Sequence, residues 1–218
     1  MPPPLIIAVD GPAASGKGTI AEGLARWYGL PYLDTGTLYR AVALGVLSAG
    51  DDPASADIAA SAARELDPAR IDPEAIRTPQ VGAAASVVAA HPPVRAALQD
   101  LQVAFARQQG GAVLDGRDIG TVIAPFAHAK LFVTATAEVR AGRRHRQYVS
   151  QGVPATFEDV LADILARDAR DRGRDTAPLA PAPDAVLLDT TDMSIEAASD
   201  AARRIVEAAR GADGSFKR

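Results

Sequence analysis

The sequence predicts an α/β fold in which a five-stranded parallel sheet carries helices on both faces. The first observation is a run of five apolar residues rich in β-branched side chains (5–9), followed by a glycine-rich turn and an amphipathic helix over 17–28. The second is repetition, because further short apolar segments alternate with helical patterns at 31–33, 112–114, 130–133 and 185–188. Strands that alternate with helices in this way form parallel sheets.

The composition indicates one globular domain over residues 1–218. The chain is 48% apolar and 23% charged, and its net charge of −4 argues against nucleic acid or an anionic membrane as a partner. It has no cysteine, which excludes disulfides, thiol catalysis and thiolate metal sites. No apolar run is long enough to span a membrane. We therefore expect a cytoplasmic protein.

The turn after the first strand fits the phosphate-loop pattern G-x-x-x-x-G-K through Gly11, Gly16 and Lys17. Glycines let backbone N–H groups turn inward around phosphate oxygens, and the start of the next helix adds a positive dipole end. Lys17 is expected to reach the β- and γ-phosphates, and Thr19 to bind Mg²⁺, although its hydroxyl lies one position later than the strict pattern. The predicted nucleotide-phosphate site comprises Gly11, Pro12, Ala13, Ala14, Ser15, Gly16, Lys17, Gly18 and Thr19.

The middle of the chain is less regular. Residues 49–79 contain four X-Pro turns and only short apolar patterns, which indicates an inserted, partly helical subdomain. Helical periodicity returns at 81–88 and again from 94 to 105. On helical apolar faces, Trp27 and Phe105 are expected to be core residues.

Asp115-Gly116-Arg117-Asp118 follows a buried strand. Ligands of open parallel sheets bind at this carboxyl edge. Asp115 is therefore a candidate for orienting Mg²⁺ or its waters, and a strand-end cap is the alternative.

The second half of the chain concentrates arginine, with eight between residues 140 and 174. Arg167, Arg170, Asp171 and Arg174 are spaced to share one face of one helix. Three guanidinium groups beside one carboxylate repel each other unless an anion joins them, and phosphate binds guanidinium well. The alternative is that these residues form a solvent-exposed helix surface of alternating charge. The phosphate loop elsewhere in the chain favours phosphate binding. Residues 142–156, with several arginines and a Gly-Val-Pro end, are a candidate lid.

Five segments together resemble the bacterial cytidylate kinases, which are P-loop nucleoside monophosphate kinases. They are GPAASGKGT, LDTGTLYRA, the AAASVVA–PPVR stretch, VLDGRDIGTV and RDARDRGRDTAPL, in this order along nearly the whole chain. The resemblance implies a five-stranded parallel core, a nucleoside-monophosphate-binding insert at about 35–95 and the short lid. It also implies transfer of the γ-phosphate of ATP to CMP or dCMP with Mg²⁺.

Residue roles follow from the resemblance at matching positions. On the ATP side it implies residues 11–19 with Arg140 and Arg144. For the acceptor phosphate it implies Thr35, Arg40 and Arg117, and it assigns a further phosphate contact to Arg174. Lys17, Arg117 and Arg174 would be catalytic. Recognition of cytosine is implied for Ser86, Arg95 and Asp118, and recognition of the sugar hydroxyls for Arg167 and Asp171.

The implied base contacts suit cytosine chemically. A carboxylate can accept from N4, while an arginine or a hydroxyl can donate to N3 and O2. Uracil reverses two of these three groups, so we expect strong discrimination against UMP. Because Arg167 and Asp171 can serve the 3′-OH alone, dCMP is expected to be a substrate.

Three other functions fit the sequence less well. Another small-molecule P-loop kinase, for AMP, UMP or shikimate, shares the phosphate loop but not the combination of Arg95 with Asp118. A guanine-specific P-loop switch is disfavoured, since a chain without asparagine cannot supply the guanine-binding Asn-Lys-x-Asp motif. A motor ATPase would hydrolyse ATP without an acceptor, whereas a kinase should show little turnover alone. Nucleic-acid binding lacks aromatic residues near the arginines and opposes the net charge. We expect a monomer.

Overall fold

The computed structural model describes residues 4–212 and has an α/β architecture. Its strands are β1 (Leu5–Asp10), β2 (Tyr32–Asp34), β3 (Gly111–Gly116), β4 (Ala129–Thr134) and β5 (Val186–Asp189). Its α-helices are α1 (Lys17–Tyr28), α2 (Thr35–Ser48), α3 (Ala56–Arg64), α4 (Pro79–Val88), α5 (Pro92–Ala106), α6 (Ala137–Ser150), α7 (Phe157–Arg172) and α8 (Ile195–Ala212). Two 3₁₀ turns (Pro68–Arg70, Ala75–Arg77) and a π-helical turn (Ile119–Ile123) complete the described elements.

The strands form one sheet in the order β2-β3-β1-β4-β5, which confirms the predicted fold class. Strand β1 pairs in parallel with β3 and β4, and β4 pairs in parallel with β5. Both β1 and β3 are buried along their whole length, as expected for strands covered on two faces. Because the strands are parallel, the segments that follow β1 and β3 lie at the same edge of the sheet.

The chain divides into two compact units, the first formed by Met1–Leu33 with Ala106–Arg218 and the second by Asp34–Phe105. In the first unit, helices α1 and α8 pack on the sheet through Leu24 and Val206 against Ile7, Val9 and Leu131. The predicted lid, 142–156, comprises the end of α6 and the turn before α7. These two helices pack through Ala141, Val160 and Ile164, and the lid role itself stays a prediction.

The second unit has its own core, built by α2 to α5 from small and β-branched side chains such as Val42, Val46 and Val88. Asp34 caps α2 by accepting a hydrogen bond from the Gly36 backbone N–H at 2.8 Å. The irregular insert contributes α3 and the two 3₁₀ turns. The predicted subdomain, 35–95, lies within this unit, and its nucleotide-binding role stays a prediction.

One core prediction is wrong. Trp27 is 63% exposed because it lies at the edge of the face that α1 packs on the sheet. The residues that this helix buries are Ile20, Ala21, Leu24 and Ala25. Its ring lies 4.2 Å from the guanidinium of Arg203 on α8. Phe105 is half-buried.

Candidate active site

The phosphate loop joins β1 to α1, and its backbone requires glycine at two positions. Gly11 has φ +154°, and a Cβ there would lie 2.0 Å from the carbonyl oxygen of Val133. Gly16 caps α1 in a left-handed conformation with φ +90°. The chain can therefore turn tightly over the end of β1 and enter α1 with its free N–H groups at the loop.

The loop is held from outside through its carbonyl groups. Arg140 Nη1 donates to the carbonyl of Ala13 at 3.2 Å. The carbonyl of Ser15 accepts from the Thr190 hydroxyl at 3.0 Å and from Arg143 Nη1 at 3.2 Å. With the carbonyl groups bonded outward, the loop interior is left to N–H donors, which is the arrangement an anion needs.

Ser15 adds a further donor to the loop. Its hydroxyl is fully buried and has no hydrogen-bond partner within residues 4–212. Since a buried hydroxyl without a partner is costly, its place in a phosphate loop is consistent with a phosphate oxygen as its acceptor.

Lys17 connects the phosphate loop to the end of β3. Its Nζ lies 3.8 Å from Asp115 Oδ2, while the Tyr32 hydroxyl donates to Asp115 Oδ1 at 3.0 Å. A Cβ on Gly18 would lie 3.6 Å from the same carboxylate, so Asp115 lies against the first turn of α1. The lysine of the phosphate loop and the carboxylate at the end of β3 are thus neighbours, and the role of Asp115 toward Mg²⁺ stays a prediction.

The oxygen ligands near the loop suit Mg²⁺. This ion binds one or two protein oxygens together with substrate phosphates and waters. Thr19, exposed on the first turn of α1, and the buried Asp115 offer oxygens of this kind, and their binding of Mg²⁺ stays a prediction. Within residues 4–212 no group of three or more His, Cys, Asp or Glu side chains could hold a metal by itself.

Asp171 gathers three arginines around one fully buried carboxylate. Arg117 Nε donates to it at 2.8 Å, Arg174 Nη2 contacts its other oxygen, and Arg167 Nε lies 4.0 Å away. Burial alone would raise the pKa of Asp171, but the charges of Arg117, Arg174 and Arg167 outweigh it and hold this pKa below 3.8. The cluster carries two net positive charges, which suits a phosphate.

The predicted helix face is only partly correct. Helix α7 ends at Arg172, so Arg174 reaches Asp171 from beyond the C-terminal cap at Gly173. Arg170 is exposed to solvent. The cluster instead recruits Arg117 from the end of β3, a partner that helical spacing could not reveal.

Asp118 lies in an unusual backbone conformation, with φ −144° and ψ 24°, directly before the π-helical turn. The next two backbone N–H groups, of Ile119 and Gly120, each donate to Asp10 at 2.8 Å. Burial raises the pKa of Asp10 from 3.8 to about 6, although these two hydrogen bonds lower it in part. Asp118 itself is buried.

The two arginines predicted to bind ATP differ from each other in burial and in their contacts. Arg140 is buried, and its guanidinium binds the carbonyls of Ala13 and Ala135 and both oxygens of Asp168. Arg144 is half-buried, with its guanidinium 5.9 Å from the ring of Tyr148. Their contact with ATP stays a prediction.

The second unit holds the remaining predicted residues. Thr35 is buried at the start of α2, and Ser86 is buried in α4. Arg40 Nη1 donates to the Ile76 carbonyl at 3.0 Å, and a Cβ on Gly82 would lie 3.1 Å from the same nitrogen. Arg95 is buried, donates to a backbone carbonyl at 3.3 Å and lies 5.6 Å from the ring of Tyr39.

A model of the cytidylate kinase family matches residues 7–208 of the chain. The chain belongs to the cytidylate kinase family. The cytidylate kinase of Caulobacter vibrioides is 61% identical over 208 residues, which are 94% of this chain and 96% of that protein. That of Xanthobacter autotrophicus is 61% identical over 209 residues, covering 94% and 99% of the two chains.

A solved structure shares the fold of this cytidylate kinase family member. It is an unliganded sugar kinase from Janibacter sp. HTCC2649, with a TM-score of 0.51 and 17% identity over 94% of this chain and 95% of that chain. At this identity the likeness shows the fold alone.

The structure also reveals residues that the sequence analysis missed. A cavity of about 540 Å³ lies beside the phosphate loop and is lined by α6, by the start of α8 and by the segment after β5. From that segment Thr190, Thr191 and Met193 line it. The sequence did contain a signal for them, since these residues directly follow the last strand at the ligand-binding edge of the sheet.

Within the described residues no helix is long and apolar enough to cross a bilayer.

Proposed function

We propose that this protein transfers the γ-phosphate of ATP to CMP or dCMP, giving CDP or dCDP and ADP. The contact of Lys17 with Asp115 at 3.8 Å carries the proposal, because it joins the phosphate loop to the Asp115–Asp118 motif. The same motif supplies Arg117, which binds Asp171 in the arginine cluster. Family membership supports the acceptor.

In phosphoryl transfer the protein mainly positions two oxygens in line and neutralises the migrating charge. We assign the ATP phosphates to residues 11–19, with Lys17 at the β- and γ-phosphates. Arg117 and Arg174 neutralise the transferred group, and Asp171 keeps their guanidinium groups in place between turnovers. Mg²⁺ would be held by Thr19 and the phosphate oxygens, with Asp115 on its waters, and would add positive charge to the phosphates. The cavity beside the loop suits the adenine base of ATP.

The roles in CMP binding are proposals for individual residues. Thr35 and Arg40 bind the acceptor phosphate, while Arg167 and Asp171 bind the sugar hydroxyls. Asp118 accepts from cytosine N4, and Ser86 and Arg95 donate to N3 and O2. Uracil would set an oxygen against Asp118, so UMP is a poor acceptor.

We also propose that the enzyme works as a monomer in the cytoplasm and has no nucleic-acid or membrane partner. Its net charge of −4 supports the second part, because polyanionic surfaces would repel it.

The test is ADP formation from ATP and Mg²⁺ with CMP, dCMP, UMP, AMP or no acceptor. We expect high turnover with CMP and dCMP, low turnover with UMP and almost none without an acceptor. A Lys17→Met variant is the matched control for contaminating kinases and should be inactive with every acceptor. A preference for AMP or UMP would refute the assigned acceptor, and turnover without any acceptor would indicate an ATPase.

A further inference from the structure

Asp10 occupies the junction of two loops. It is the last residue of β1, directly before Gly11 of the phosphate loop, and its Cα is paired with Gly116 of β3. Its side chain turns toward the segment after β3, where Oδ1 accepts from the N–H of Ile119 and Oδ2 from the N–H of Gly120, each at 2.8 Å. One carboxylate therefore fixes the start of the π-helical turn.

These two hydrogen bonds help to hold the backbone of Asp118. The peptide between Asp118 and Ile119 donates its N–H to Asp10, and its carbonyl accepts from the Val122 N–H at 2.8 Å within the turn. Asp10 therefore contributes to keeping ψ of Asp118 at 24°. This conformation is outside the regular helix and strand regions, and it needs a partner that maintains it. The direction of the Asp118 side chain depends on this backbone.

Holding a turn with a buried carboxylate costs free energy, because the charge is removed from water. Asp10 is buried, and the charged groups that face it are Arg117, Asp118 and, across Gly120, Lys130. Arg117 lowers its pKa, Asp118 raises it, and burial raises it most. An asparagine would avoid burying a charge, but its amide NH₂ would then face one of two backbone N–H donors. The carboxylate offers an acceptor to each of the two N–H groups, which an asparagine cannot do.

We propose that Asp10 is a positioning residue that orients Asp118 and thereby sets the discrimination between CMP and UMP. The inference rests on the proposed function. Asp10 touches no substrate in this scheme and acts only through the turn. Its loss should change acceptor selectivity more than it changes ATP binding.

The test compares the wild type with Asp10→Asn and Gly120→Ala. The second variant crowds the same contact from the other side, since its Cβ would lie 3.2 Å from Lys130 Cδ and 3.4 Å from Asp10 Oδ2, so that a neighbour must shift by a few tenths of an ångström. Val206→Ala, a cavity variant in the distant helix α8, is the control for general destabilisation. For each protein we would measure kcat/KM for CMP and UMP, KM for ATP and the free energy of unfolding.

We expect Asp10→Asn and Gly120→Ala to lower the CMP:UMP ratio of kcat/KM at least about tenfold, mainly through a higher KM for CMP. KM for ATP should change less than about threefold, and Val206→Ala should keep the wild-type ratio. If Asp10→Asn does not fold, Gly120→Ala decides. An unchanged ratio in an enzyme whose wild type uses CMP overturns this inference alone, whereas a wild type inactive on CMP overturns the proposed function and the inference with it.

Discussion

Arg140 on α6 and Asp168 on α7 form a two-pronged ion pair, with Nη1 3.1 Å from Oδ1 and Nη2 2.6 Å from Oδ2. Both side chains are buried, and Arg140 also donates to the carbonyl of Ala13 in the phosphate loop. The pair thus fastens two helices to the loop. Asp168 lies beside Arg167 in sequence, so the same contact fixes the helix that carries the arginine cluster.

We predict that Arg140→Met destabilises the protein by about 3–5 kcal/mol, because it leaves Asp168 buried without its main partner. The double variant Arg140→Met/Asp168→Leu should recover most of this loss, since an apolar pair of similar volume carries no desolvation cost. Urea unfolding at neutral pH measures both. Arg172→Gln is the control, because Arg172 lies 3.7 Å from Asp168 but is 61% exposed, and exposed pairs contribute less than about 1 kcal/mol. A double variant as unstable as the single one would contradict this account.

The carboxylate of Asp171 is predicted to stabilise the arginine cluster at neutral pH. Because its pKa is lowered from 3.8 by three arginines, its contribution is present above pH 3.8 and is lost as the pH falls through the lowered value. Wild type should exceed Asp171→Asn in stability by at least about 3 kcal/mol from pH 7 down to about pH 5. This difference should disappear in strong acid.

Inorganic phosphate provides an independent measurement of the same cluster. Asp171→Asn leaves three guanidinium groups without their carboxylate, so added phosphate should raise its melting temperature more than that of the wild type. Asp175→Asn, at an exposed neighbouring position, should respond as the wild type does. Equal responses in all three proteins would show that the arginines do not share an anion.

The sequence predicts the phosphate loop and the end of β3 well because both are local. Glycine spacing, a preceding apolar strand and a following helix all belong to one continuous segment, and the parallel sheet then brings it beside Asp115. The family resemblance adds site residues from separate segments of the chain, which no local sequence pattern links to one another.

The partners of the arginines could not be predicted. In the segment Arg167–Asp175 charges alternate, and whether Asp168 or Asp171 meets a given arginine depends on how α7 is rotated against α6 and β3. In the structure Arg140 pairs with Asp168, and Arg117 pairs with Asp171. The contact of Arg140 with ATP stays a prediction. Asp10 was missed because its partners are backbone N–H groups about 110 residues away, which leave no mark on side-chain patterns.

Asp10 should make the stability of the protein depend on pH near 6. Its pKa is raised from 3.8 to about 6 on folding, so the stability that its protonated form provides is complete below pH 3.8 and is lost as the pH rises through 6. Between pH 4 and 7 the free energy of unfolding of the wild type should fall by about 2 kcal/mol relative to Asp10→Asn. Urea unfolding of both proteins across this range measures the difference. Arg117, Asp118 and Lys130 face Asp10 in both proteins, and parallel curves would contradict the raised pKa.

Trp27 offers a test of the structure at a position where periodicity fails. It is the sole tryptophan, it is 63% exposed, and the Arg203 guanidinium lies 4.2 Å from its ring. We predict a red-shifted emission that acrylamide quenches strongly. Because a cation–π pair at an exposed site contributes only about 0.5–1 kcal/mol, Trp27→Ala should cost about 1 kcal/mol in urea unfolding. Leu24→Ala, one turn earlier on the same helix and 2% exposed, should cost about 2–5 kcal/mol. If Trp27→Ala were as costly as Leu24→Ala, Trp27 would belong to the core and the end of α1 would pack differently from the arrangement described above.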